Sequence, residues 1–159
     1  MKPVLLVEDE APDIFIMQRS WNKAEFENPL QIVNDGQQAV EYISGKGKFA
    51  DRQKYPLPCL MLLDIKLPYL SGHEVVKWLR SYQPCAALPV VFLTSSASDM
   101  DIDQAYRLGG NAYLVKPPTP EKLVQMLQDL KGFWMKHNSF PPEFVITAGN
   151  PANRSGRPD

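Results

Sequence analysis

Cysteine is scarce in this 159-residue chain: Cys59 and Cys85 are the only two, and they form no CxxC pair. That excludes a disulfide scaffold and fits a reducing, cytoplasmic compartment, with both thiols read as small packing groups. Basic excess is absent too. Lys and Arg number 17 against 18 Asp and Glu, a net charge of −1. Nothing would neutralise a run of phosphates, so nucleic acid and an anionic membrane are excluded as expected partners. No apolar run approaches the length of a membrane span. The N-terminus, MKPVLLVEDE, turns acidic after a few apolar residues and is not read as a signal peptide. No internal repeat is visible. What remains is the composition of one globular domain, 44% hydrophobic and 22% charged.

The apolar segments alternate with helical patterns. Strands are expected at 3–7, 30–33, 59–63, 89–93 and 112–115. Helices are expected at 11–24, 38–44, 72–82 and 98–108, with a last one opening at Thr119-Pro120. Local chemistry supports the boundaries. Pro12 suits a first turn, Asp35 an N-cap and Gly45 a stop. Ser71-Gly72-His73-Glu74 has the pattern of a capping box. Ile14, Met17 and Trp21 make the inner stripe of the first helix. Leu123, Met126, Leu127, Leu130 and Trp134 make that of the last. Strands alternating with helices imply right-handed crossovers and a parallel sheet. Residues 46–57 are expected as an extended loop. Residues 138–159, rich in Pro, Gly, Ser and Asn, read as a tail that is largely disordered, leaving a single domain over 1–137.

One stretch, LPCLMLLDIKLP, poses a chemical question. Its apolar run suits a strand buried on both faces, yet it ends in Asp64. In an open parallel sheet, ligands bind beyond the carboxyl ends of the strands. Glu8-Asp9 end the first strand, Asp64 the third, Thr94-Ser95 the fourth and Lys116-Pro117 the fifth. Two carboxylates 4 Å apart repel by roughly 4 kcal/mol at an effective dielectric near 20. A cluster of three therefore needs protons or a cation, and hard oxygen ligands suit Mg²⁺. Asp64 would then be the nucleophile toward a phosphoryl group, with Lys116 and Thr94 holding its oxygens. Each residue also has an ordinary reading. Glu8 and Asp9 could serve the first helix as caps, Lys116 could be a solvated strand end and Thr94 a cap. Their convergence on one rim favours a site.

VLLVEDE, LLDIKLPYLSG, VVFLTSS and NAYLVKPP together resemble the signature segments of the response-regulator receiver domain of two-component signalling, in the family's order and spacing. The resemblance spans about residues 2–132. It implies a flavodoxin-like α/β fold: a doubly wound five-stranded parallel sheet of order 2-1-3-4-5 with helices on both faces. It makes Asp64 the phosphoacceptor and Asp9 the main metal ligand, helped by Glu8 and the backbone carbonyl of Lys66. Thr94 and Lys116 would read the phosphoryl group and Tyr113 would be the rotamer switch. The Lys116-Pro117 bond is expected to be cis.

Two residues depart from the family's pattern. Glu8 replaces the commoner Asp, and its extra methylene would place water between it and the metal. Lys66 sets a long cation beside the site. The 46–57 loop and GFWMKHNSFPP resemble receivers paired with phytochrome-type or hybrid sensor kinases.

The resemblance implies a switch rather than an enzyme. A sensor histidine kinase would donate the phosphoryl group, and output would run through a downstream protein, a homodimer or onward phosphotransfer. Asp13 and Phe15, on the outer side of the first helix, and the loop after Lys116 are the expected donor dock. A scaffold that is never phosphorylated is the alternative. An aspartate-nucleophile phosphohydrolase would need an acid where Lys66 stands. SGKGKF lacks phosphate-loop spacing and reads as a turn. His73 and His137 have no partner at metal-ligand spacing. Phe133, Trp134 and Met135 cannot all face one core stripe, so Phe133 or Met135 is expected at the surface.

Overall fold

In a computed structural model, residues 1–142 are described. The expected disorder of 143–159 lies outside the described residues. Five parallel strands form one sheet in the order β2-β1-β3-β4-β5: β1 Val4–Val7, β2 Leu30–Val33, β3 Leu60–Leu63, β4 Val90–Thr94 and β5 Ala112–Val115. The helices between them are α1 Ala11–Lys23, α2 Gly36–Ser44, α3 Gly72–Ser81, α4 Asp99–Arg107 and α5 Pro120–Lys131.

Side-chain alternation along the strands divides the core in two. Leu5, Val7, Met61, Leu63, Val90 and Phe92 face α2 and α3 on one side. Val4, Leu6, Leu60, Leu62, Val91 and Leu93 face α1 and α5 on the other. The central strands β1, β3 and β4 are buried along their whole length, which is why they read as continuous apolar runs.

The helix ends follow the chemistry expected of them. The Asp35 carboxylate accepts from Gln38 N, so α2 begins at Gly36, directly after its expected N-cap, and Gly45 closes it at φ 71°. Ser71 and Glu74 form both bonds of the capping box at α3. Thr119 caps α5, with Pro120 in the first turn. The N-cap of α1 is Glu10, without a side-chain bond, so neither Glu8 nor Asp9 caps that helix.

The 46–57 connection is less extended than its sequence suggests. A 3-10 turn, Gly47–Ala50, buries Phe49 against Tyr42 and Tyr55. Arg52 donates to the carbonyls of Tyr42 and Ile43 at 2.7 Å each, satisfying the open end of α2. Beyond α5 the chain continues as a π-helical turn, Gly132–His137, closed by Asn138 N on Phe133 O. Trp134 and Met135 pack on the core, and Phe133 is left 57% exposed.

Candidate functional site

All the strand-end residues singled out in the sequence meet at the carboxyl edge of the sheet. Parallel pairing enforces this. Val7 lies beside Leu63, Leu63 beside Phe92 and Thr94 beside Val115, so the residues that follow β1, β3 and β5 emerge side by side. Glu8, Asp64 and Thr94 are buried; Asp9 and Lys116 are partly exposed. One carboxylate oxygen from each of Glu8, Asp9 and Asp64 can be chosen so that all three lie within 4.8 Å of one another. Three hard oxygen donors so close, two of them buried, form a set able to hold a divalent cation.

Lys116 organises the cluster. Its Nζ donates to Glu8 Oε2 at 2.5 Å, Asp64 Oδ2 at 3.1 Å and Asp13 Oδ2 at 3.2 Å. Burial alone would lower the lysine's pKa, but the bond to Glu8 and the charges of Asp64 and Glu8 outweigh it and raise the pKa. Glu8 is shifted upward as well, first by burial and then by the Asp64 charge. Its bonds from Lys116 and from the Glu10 amide offset only part of this.

Asp64 Oδ1 accepts from the Ile65 amide at 2.7 Å, and Oδ2 takes the lysine. Thr94 closes β4 beside it, and its Oγ1 accepts from Ser96 N at 3.4 Å. Tyr113 packs its ring on Phe92 and donates its hydroxyl proton to Ser96 O at 2.9 Å. Lys66 is exposed on the loop after β3. No cis peptide bond occurs among the described residues, so the expected cis Lys116-Pro117 bond is corrected to trans. An X-Pro bond favours trans by about 0.5–1 kcal/mol unless contacts select otherwise.

Asp13 was misplaced by sequence reasoning, which set it on the outer face of α1. It points at Lys116. The signal was present: Asp13 precedes the buried Met17 by one helical turn and shares its stripe. His73 is buried on α3, its Nε2 3.0 Å from the Asp101 carbonyl, and is a structural residue. His137 is exposed.

This rim belongs to a known architecture. Residues 4–128 match the model of the response regulator receiver domain. The chain belongs to that family. Such receivers are signalling domains of two-component systems. Among curated relatives, the probable methanogenesis regulatory protein FilR2 of Methanothrix harundinacea is 33% identical over 87% of this chain and 86% of its own. Response regulator Rcp1 of Synechocystis is 31% identical over 88% and 93%. Among solved structures, response regulator RPA3017 in red light signaling of R. palustris superposes with a TM-score of 0.83 at 38% identity, over 88% of this chain and 99% of that one. The phosphorylated cyanobacterial phytochrome response regulator RcpA gives 0.81 at 30%, over 89% and 99%. The Mn²⁺-bound form of Rcp1 gives 0.79 at 31%, over 89% and 100%. The receiver fold is thus common ground between this chain and its relatives, and this chain carries a carboxylate set suited to a divalent metal.

Proposed function

We propose that this receiver is a phosphoacceptor switch in which Asp64 takes a phosphoryl group from the phosphohistidine of a sensor kinase. The observation that carries this reading is the setting of the Asp64 carboxylate. One oxygen is anchored by its neighbour's amide and the other lies on the Lys116 ammonium, with Thr94 alongside. In the transfer, an Asp64 oxygen attacks phosphorus, the new O–P bond forms and the P–N bond to the donor imidazole breaks. The leaving imidazole keeps the bonding pair and takes up a proton. Lys116 holds negative charge that moves onto the phosphoryl oxygens, and the Thr94 hydroxyl donates to one of them.

The cation proposed for the site is Mg²⁺, held by Asp9, Asp64, the Lys66 carbonyl and, directly or through water, Glu8. When bound it cancels repulsion between the carboxylates and the incoming phosphoryl group. The aspartyl phosphate carries about two negative charges where the carboxylate carried one, enough to bias Thr94 and Tyr113 toward a second arrangement. The output is altered binding to a downstream protein or a second copy, or onward phosphotransfer. The chain is read as a cytoplasmic switch and not as an enzyme acting on a separate substrate.

Similarity to RcpA, Rcp1 and RPA3017 favours a phytochrome-type or hybrid kinase as donor. The groove between α1 and the start of α5, lined by Phe15, Ile16, Arg19 and Val124, is the proposed donor dock. Intact mass after incubation with acetyl phosphate tests the central step. A gain of one phosphoryl group that needs Mg²⁺ and is lost in Asp64→Asn is the expected result. No gain by a folded, metal-binding wild type, from acetyl phosphate or from a phosphorylated kinase, would leave the scaffold reading in its place.

A further inference from the structure

His73 has no part in the proposed phosphoryl chemistry, yet it stands at the end of a bonded chain that begins at Tyr113. The Tyr113 hydroxyl donates to Ser96 O at 2.9 Å. The Ser96 hydroxyl donates to Asp101 Oδ2 at 2.6 Å. The Asp101 carbonyl lies 3.0 Å from His73 Nε2. A carbonyl only accepts, so the imidazole carries its proton on Nε2 and donates. The series runs from β5 through the β4–α4 loop and the first turn of α4 to α3. A ring contact closes it into a loop: His73 lies 5.8 Å from Phe92, and Phe92 lies 5.9 Å from Tyr113.

The other side-chain bonds of this turn are local: Ser98 Oγ accepts from Asp101 N at 3.5 Å and Ser96 Oγ from Ser98 N at 3.3 Å, and neither reaches another element. The first turn of α4 is exposed at Asp99 and Met100, and Ala105 is the helix's only buried residue. A helix so thinly buried takes little of its placement from apolar packing. The donor on α3 supplies a specific tether, and it reaches the residue whose carboxylate holds Ser96. Ser96 in turn lies over Thr94, its amide donating to Thr94 Oγ1 at 3.4 Å.

We propose that His73 is a positioning residue: its Nε2–H fixes the first turn of α4, and through Asp101 and Ser96 it sets both the Tyr113 anchor and the cover over Thr94. The part concerning phosphoryl lifetime rests on the phosphoacceptor reading above. The part concerning the α4 turn does not.

Two variants separate the tether from simple packing. His73→Phe keeps a ring and loses the donor. His73→Gln keeps a donor at the position of Nε2. Amide hydrogen exchange of the unphosphorylated protein is read for peptides covering residues 95–104. The expected result is exchange about fivefold faster in the Phe variant, the size of one hydrogen bond lost, with near wild-type rates in the Gln variant. Unchanged exchange in the Phe variant overturns the proposal. So does a uniform rise across all peptides in both variants, which would mark a packing role alone.

The second readout is loss of the phosphoryl group after acetyl phosphate is removed. The half-life should shorten at least about twofold for Phe and stay near wild type for Gln, on the same loss of one bond. Equal half-lives in all three proteins overturn the link to the site. If the wild type accepts no phosphoryl group, the phosphoacceptor reading fails, and the exchange experiment still decides the role of His73.

Discussion

Lys116 Nζ lies 3.1 Å from Asp64 Oδ2 while also touching Glu8, so one ammonium bridges the ends of β1, β3 and β5. The lysine occupies carboxylate oxygens that a divalent cation would use. Lys116→Ala should therefore act in two directions. Without metal, it leaves buried Glu8 and Asp64 unpaired and should cost about 3 kcal/mol. With metal, a competing positive charge is gone, and Mn²⁺ should bind about tenfold more tightly. Urea denaturation in EDTA measures the first effect and Mn²⁺ titration calorimetry the second.

How far the sequence reaches is visible in these same residues. Strand-end residues are legible because apolar runs stop at them and parallel pairing brings every stop to one edge. Glu8, Asp64, Thr94 and Lys116 are found that way. Side chains that act across helices are harder to see. Asp13 lies on an amphipathic helix whose polar residues default to solvent, and only its register with Met17 betrays it. Arg80 is another case. Its guanidinium is half-buried and donates to the carbonyls of Ala86, Leu88 and Gly109 and to Asn111 Oδ1, tying α3 to the segments before β4 and β5. Apart from Asn111 Oδ1, those acceptors are backbone oxygens, which no residue type announces. The trans Lys116-Pro117 bond shows the converse limit: a motif carries an expectation of geometry that local energetics, separated by only about 1 kcal/mol, does not compel.

Asp9 is the most exposed of the three clustered carboxylates, and neutralising it should help the metal-free fold. Asp9→Asn removes like-charge repulsion and should raise stability by about 1 kcal/mol in EDTA. The wild type should gain from Mg²⁺ instead, by about 2.7 kcal/mol at a hundred times its dissociation constant. The variant should lose most of that gain. Thermal denaturation of both proteins with and without Mg²⁺ checks the crossing. A wild type indifferent to Mg²⁺ at every concentration would remove the cation from the site.

Gly72 opens α3 directly against the residue it follows in space. A Cβ there would collide with the Asp64 carbonyl oxygen and come within 3.0 Å of Ile65 Cα, both backbone atoms that cannot step aside. Gly72→Ala should cost about 2–3 kcal/mol. It should also displace the Asp64 backbone, so phosphorylation by acetyl phosphate should slow even at temperatures where the variant is fully folded. Chemical denaturation and the rate of mass gain read the two effects separately.

Tyr42 gives the fold a pH dependence at the alkaline end. Its ring is buried among Phe49 and Tyr55, and its hydroxyl donates to Pro56 O at 2.8 Å. Burial pushes the phenol from 10.0 up to about 12, with Arg52 opposing and Tyr55 adding to the shift. Between those values the unfolded chain has lost the phenolic proton and the folded protein still holds it. The unfolded state then binds fewer protons, so stability falls as pH rises, by about 1.4 kcal/mol per unit. Below pH 10 the contribution is complete; above pH 12 it is gone. Guanidinium denaturation at pH 9.5 and 11.5 should show a loss on the order of 2 kcal/mol from this group. Tyr42→Phe should start about 1 kcal/mol lower for its missing hydrogen bond and lose about 2 kcal/mol less than the wild type over the same interval. Equal slopes for the two proteins would mean that another group governs alkaline unfolding.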